Sequence, residues 1–201
     1  MTRKRTIGVV LFEDFELLDV FGPLEMFGLA ADHFEIRLIA ETGGVVASRQ
    51  GPKSVCDDSF NTAPPIDVLL VPGGMGTRRE VNNPVLLDWM KQRSKQAELV
   101  ASVCTGSALL AKAGVLDGIR ATSNKLAFAW AASQSEKVQW QKQARWVEDG
   151  KFFTSSGVSA GIDMSLAVIA KLVSQQAAAE AANFAEYTWQ RDADQIGRAH
   201  V

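Results

Sequence analysis

Leu99-Val100-Ala101-Ser102-Val103-Cys104-Thr105-Gly106-Ser107 is the stretch on which the fold turns. Residues 99–103, a short and mostly apolar stretch, read as a strand. Residues 105–113 carry a helical pattern, and Gly114 is placed to end that helix as a C-cap. Cys104 therefore falls where a strand passes at once into a helix, the form of a nucleophile elbow. The unpaired N–H groups of a helix start favour a thiolate, so this position predicts a lowered thiol pKa. Gly106 lets the backbone pack tightly behind the turn.

The same alternation extends in both directions. Residues 7–12 and 67–71 read as buried strands, and residues 34–40 as a further strand. Gly22-Pro23 opens a helix over 24–31, since Pro suits a first helical position. Residues 43–65, with their Gly, Ser and Pro, read as a hairpin or short excursion. Asn83-Pro84 opens a helix running to about residue 96. Residues 120–123 are a short strand, with a helix over 125–133. Residues 138–153 hold two strands turned by Glu148-Asp149-Gly150. Helices follow from Gly161 onward and over 175–189. Strands alternating with helices predict an α/β fold: one doubly wound, mostly parallel sheet with helices on both faces. Residues 1–195 read as a single domain. Residues 196–201 continue no earlier pattern, and their reverse translation matches a sequencing-library adapter. They are expected to be a non-native tail, with the natural chain continuing beyond Gln195.

The chain has 201 residues, 47% of them hydrophobic, and a net charge of −2. That balance lacks the basic footprint of a nucleic-acid binder, so no nucleic-acid contact is expected through this domain. No apolar run spans a bilayer. The basic start, Met1 to Arg5, is followed too soon by Glu13, Asp14 and Glu16 to be a signal peptide. Cys56 and Cys104 have unlike contexts, so a reduced, cytoplasmic protein is expected.

In open parallel sheets, ligands sit beyond the carboxyl ends of the strands. The loops there hold Asp19, Pro72-Gly73-Gly74-Met75-Gly76, Cys104-Thr105, Ser123-Asn124 and residues 155–161. The Gly73-Gly74 loop presents backbone N–H groups that can serve an oxyanion, with the Thr105 amide as second donor; a mere turn is the plainer alternative. Asp19 is placed to share a proton with Cys104, and desolvation would raise its pKa as that role requires. Glu25 is its rival. The two histidines, His33 and His200, lie off this rim, which argues against a Cys–His–acid triad. No His/Cys cluster suggests a metal. Trp89, Trp130, Trp140, Trp146 and Trp189 are scattered and read as packing or dimer contacts.

Together, Leu18-Asp19-Val20-Phe21-Gly22-Pro23-Leu24-Glu25, Val71-Pro72-Gly73-Gly74-Met75-Gly76, Ser102-Val103-Cys104-Thr105-Gly106-Ser107 and Gly157-Val158-Ser159-Ala160-Gly161-Ile162-Asp163 resemble the ThiJ/PfpI superfamily, over roughly residues 7–190. Asp before Gly-Pro and Thr after Cys place the resemblance nearest its isonitrile hydratase branch. The resemblance implies a flavodoxin-like fold, a homodimer, a small-molecule substrate and no cofactor. It implies a Cys104 thiolate that attacks an isonitrile carbon, a proton delivered by Asp19, and a thioimidate that water resolves to an N-substituted formamide. Thr105 would order the site, and Gly73, Gly74, Met75 and Asn124 would line it. Many relatives carry His where this chain has Asn124, and Asn is no base near neutral pH. A ligand- or oxidant-sensing domain without turnover is the alternative, since related sequences are fused to AraC-type DNA-binding regions. Another hydrolase or a glyoxalase-like enzyme is a third reading.

Overall fold

A computed structural model describes residues 3–196. Of the expected tail, residues 197–201 lie outside the described residues. The chain runs through β1 (Arg5–Leu11), α1 (Leu17–Leu29), β2 (Phe34–Ala40), β3 (Gly44–Ala47), β4 (Lys53–Cys56), β5 (Asp58–Ser59) and β6 (Val68–Val71). It continues through α2 (Thr77–Glu80), α3 (Pro84–Gln96), β7 (Leu99–Val103), α4 (Gly106–Lys112), β8 (Arg120–Ala121), α5 (Phe128–Ala132) and β9 (Gln139–Trp140). The hairpin β10 (Trp146–Asp149) and β11 (Phe152–Ser155) leads into α6 (Ala160–Leu172) and α7 (Gln175–Phe184).

Seven strands form the main sheet in the order β10-β11-β7-β6-β1-β2-β5. Every neighbouring pair is parallel except β10 with β11. The all-buried runs of β6 and β7 make its centre, as expected of parallel strands covered on both faces. From β1 the chain steps one way to β2, and from β6 it steps the opposite way to β7. Right-handed crossovers then put α1 and α3 on opposite faces. α1, α6 and α7 pack on one another, and α3 packs on α4. The predicted doubly wound α/β sheet is the one observed. Residues 43–65 give the β3–β4 hairpin and the edge strand β5, while β8 pairs with β9 in a separate two-stranded sheet.

Two helix ends differ most from expectation. α1 begins at Leu17, not at residue 24, and contains Pro23. Its buried residues (Asp19, Val20, Gly22, Pro23, Met26, Phe27) recur at helical spacing through the proline. The first turn is anchored from outside: the Glu16 N–H donates to the Gly73 carbonyl at 2.9 Å and the Leu17 N–H to Gln50 Oε1 at 3.1 Å. Pro23 forgoes only the bond to the Asp19 carbonyl. At the other end, α7 stops at Phe184 rather than residue 189. Tyr187 and Gln190 turn back onto Asp163 of α6, through the Tyr187 hydroxyl at 3.1 Å and the Gln190 N–H at 2.8 Å.

Sheet register sets the site. Val9 is level with Leu70, Leu70 with Ala101, and Ala101 with Phe153. The carboxyl ends of β1, β6, β7 and β11 therefore finish side by side, where the strand order reverses between β1 and β6. This is the switch point at which such sheets bind ligands.

Candidate active site

Cys104 follows β7 directly with φ of 58°, one of three non-glycine residues with positive φ among the described residues. Holding a non-glycine residue there stores roughly 1–3 kcal/mol. The turn is fixed on all sides. Its N–H faces the Ser155 and Ser156 carbonyls, each at 3.2 Å, and its own carbonyl accepts from the Ser123 hydroxyl at 3.0 Å and the Ser107 hydroxyl at 3.2 Å. Gly106 is required at this bend: a Cβ there would run into the Val71 carbonyl and lie 2.8 Å from the Pro72 oxygen. The sulfur lies against Gly157, and Asn124 Nδ2 lies beside it.

Asp19 is fully buried beneath this turn. Its Oδ2 accepts the Gly73 N–H at 2.9 Å. Its Oδ1 is buried with no hydrogen-bond partner among the described residues. Gly73 must be glycine, since a Cβ would sit 2.6 Å from the Thr105 nitrogen and 2.8 Å from Asp19 Oδ2. Burial raises the Asp19 carboxyl well above its ordinary range, more than the Gly73 bond lowers it. Cys104 is also raised, first by burial and then by the neighbouring Asp19 charge; the Thr105 amide and hydroxyl pull the other way. The expected lowering at a helix start is thus overturned by desolvation. The pair retains a proton into alkaline conditions that separate groups would have lost, and the orphaned Asp19 oxygen is where it can be held.

Burial of an ionisable Asp19 has a stability consequence. The folded pKa exceeds the unfolded one, so the group's contribution is fully present below the ordinary value of 3.8 and is lost as pH rises through the folded value. Asp19→Asn keeps an oxygen for the Gly73 N–H and carries no charge. It is expected to raise the melting temperature at pH 7 by a few degrees, for roughly 1–2 kcal/mol, with little gain at pH 3. Thermal melts across pH check this.

The loop amides expected to serve an oxyanion are engaged otherwise. Gly73 holds Asp19, and the Gly74 N–H donates to Thr105 Oγ1 at 3.1 Å. Met75 is exposed. Asn124 Oδ1 accepts the Ala127 N–H at 3.1 Å, which orients its amide toward Gly157. Next to it, burial lowers Lys125 to about 8, and its Nζ donates to Thr122 Oγ1 at 2.7 Å. Glu25 is exposed. Cys56 is buried, and desolvation pushes it to about 11. The sequence reading passed over Thr77 and Arg78. The Thr77 hydroxyl lies 3.1 Å from Thr105 Oγ1, and Arg78 stacks on Trp130, its Cζ 4.1 Å from the ring centroid. Among the described residues no group of three His, Cys, Asp or Glu is placed to hold a metal, and no helix is long and apolar enough to cross a membrane.

A model of the DJ-1/PfpI family matches residues 5–171. The chain belongs to this family. It is 34% identical over 167 residues to isonitrile hydratase of Pseudomonas putida, across 83% of this chain and 72% of that protein. It is also 29% identical to the HTH-type transcriptional regulator CdhR of Pseudomonas aeruginosa, across 85% of this chain but 52% of the regulator. This DJ-1/PfpI chain thus spans about half the length of that regulator. Among solved structures, a ThiJ/PfpI family protein from Pseudomonas syringae superposes with a TM-score of 0.82 at 32% identity, covering 92% of this chain and 76% of that one.

Proposed function

We propose that this protein is a cysteine-dependent hydratase of small molecules, converting isonitriles to N-substituted formamides. The observation that carries the reading is the Cys104–Asp19 pair. A strained cysteine sits beside a fully buried carboxyl, one oxygen of which is fixed by Gly73 while the other has no hydrogen-bond partner among the described residues. That pair holds one mobile proton and one nucleophile, the two things addition to an isonitrile carbon needs. The 34% identity to isonitrile hydratase supports the substrate class.

The bonds balance with these residues alone. The sulfur forms a bond to the terminal carbon of R–NC, and the proton held by the pair passes from Asp19 to that carbon. The product is a thioimidate, R–N=CH–S–Cys104. Water adds to the same carbon, the C–S bond breaks, and the proton returns to the pair. R–NH–CHO is released and the thiol restored. The Thr105 amide and hydroxyl stabilise the sulfur while it carries charge. Asn124 can hydrogen-bond the substrate but supplies no base, which disfavours the glyoxalase-like reading.

Asp19→Asn tests the assignment of the proton. Turnover of an aromatic isonitrile is expected to fall by roughly 10²–10⁴-fold, although the variant is the more stable one. A wild-type rate would mean that the proton comes from elsewhere. The likeness to a transcriptional regulator favours one further reading, a ligand- or oxidant-sensing domain without turnover. In that case neither wild type nor variant forms formamide.

A further inference from the structure

We propose that Asn124 is the oxyanion donor of the second half-reaction, in which water converts the Cys104 thioimidate to the formamide. The proposal rests on the hydratase reading and names the residue that serves its hydrolytic step. The Gly73 and Gly74 amides, placed by the sequence to meet an oxyanion, are engaged by Asp19 and by Thr105 Oγ1. Asn124 offers what they do not. Its Oδ1 accepts the Ala127 N–H at 3.1 Å, and of the two ends of the amide only the oxygen can accept. The NH₂ end is thereby turned to Gly157, and it meets no hydrogen-bond acceptor among the described residues. A Cβ on Gly157 would run into Asn124 Nδ2 and lie 3.2 Å from Cys104 Sγ. Glycine at 157 thus keeps open a space that the amide and the sulfur share.

The segment that carries the amide is pinned to the reactive turn. Ser123, the preceding residue, donates its hydroxyl to the Cys104 carbonyl at 3.0 Å, and the Thr122 N–H donates to Thr154 Oγ1 on β11 at 2.8 Å. The bond changes decide which step the amide serves. In the first half the sulfur attacks the isonitrile carbon and that same carbon takes the proton, so no oxygen is present to receive an amide N–H. In the second half the water oxygen bonds to the sulfur-bound carbon. One water proton goes to the imine nitrogen and the other to the Asp19 carboxylate, leaving R–NH–CH(O⁻)–S–Cys104. A fixed neutral donor beside the oxygen that gains this charge lowers the second barrier and leaves the first unchanged. The C–S bond then breaks, its electron pair returns to sulfur, and the oxygen becomes the formamide carbonyl.

The test mixes the whole protein with an aromatic isonitrile and reads two quantities together. One is the rate of formamide release. The other, by denaturing mass spectrometry, is the fraction of protein that carries the isonitrile's mass on Cys104. Their ratio is the rate of thioimidate breakdown, whichever step limits turnover. Asn124→Ala removes the donor without adding a charge. Asn124→Asp also removes it but keeps an oxygen for the Ala127 N–H, and it reads the same donor should Asn124→Ala fail to fold. In both the ratio is expected to fall by roughly 10²–10³-fold, with adduct building up as formamide slows. A ratio that stays at the wild-type value in either folded variant, whether or not turnover falls, would overturn the proposal and leave the hydratase reading intact. Wild-type protein that forms neither adduct nor formamide would overturn both.

Discussion

Cys104→Ser is expected to abolish isonitrile turnover, by about 10⁴-fold or more, while the protein folds and melts as before. Serine is close in shape to cysteine and meets the same positive φ, so the bonds from the Ser107 and Ser123 hydroxyls to the residue-104 carbonyl remain. The loss is chemical. A buried hydroxyl beside Asp19 is a far weaker acid and nucleophile than the thiol it replaces. Cys56 offers no substitute, since it is buried in β4 and pushed to about 11. Formamide formation and a thermal melt on the same sample check both halves. Undiminished turnover would remove Cys104 from the chemistry.

Asp163→Asn is expected to be the most damaging conservative change in the fold. Asp163 has no exposed surface, and its Oδ2 takes both Arg145 Nε at 2.9 Å and Nη2 at 2.6 Å. Its Oδ1 takes the Tyr187 hydroxyl and the Gln190 N–H. Burial, with the adjoining Asp163 charge, pushes the Tyr187 phenol up to about 12, so it remains a donor. An Asn amide must present NH₂ to one set of donors and leaves a largely buried guanidinium without its counter-charge. Breaking such a pair costs roughly 3–5 kcal/mol, which lowers the melting temperature of a chain this size by roughly 10 °C. The Arg145 carbonyl also accepts the Ser156 N–H at 2.7 Å, and the Ser156 carbonyl faces the Cys104 N–H. The loss therefore reaches the reactive turn, and turnover is expected to fall with stability. A melting temperature within one degree of wild type would show that this cluster is not the tie described.

The sheet was legible because its evidence is local. Short apolar or mostly apolar stretches at 68–71 and 99–103, set between helical patterns, read as buried parallel strands, and residue 104 inherits its position from the second of them. Asp19, Thr105 and Gly73 could be nominated because each follows a strand end, and the sheet register brings strand ends together. The start of α1 was misread because Pro23 outweighed a helical pattern that began before it; the anchoring Gly73 carbonyl and Gln50 side chain are remote in sequence. The direction of the Cys104 pKa was misread for a related reason. Helix placement can be seen in sequence, but the burial that outweighs it cannot. Thr77 and Arg78 carry no local mark of their contacts with Gly74 and Thr105, because folding alone brings those groups together. Asp163 stood in plain view within its motif, but its partners, Arg145 and Tyr187, lie on segments that only folding brings to it.

The measurement that bears most directly on the central claim is conversion of an aromatic isonitrile by the purified, reduced protein, with Cys104→Ala alongside. The Cys104–Asp19 account predicts formamide in step with isonitrile loss in the wild type, and none above background in the variant. No formamide from wild-type protein whose Cys104 is shown to be a free thiol would contradict it.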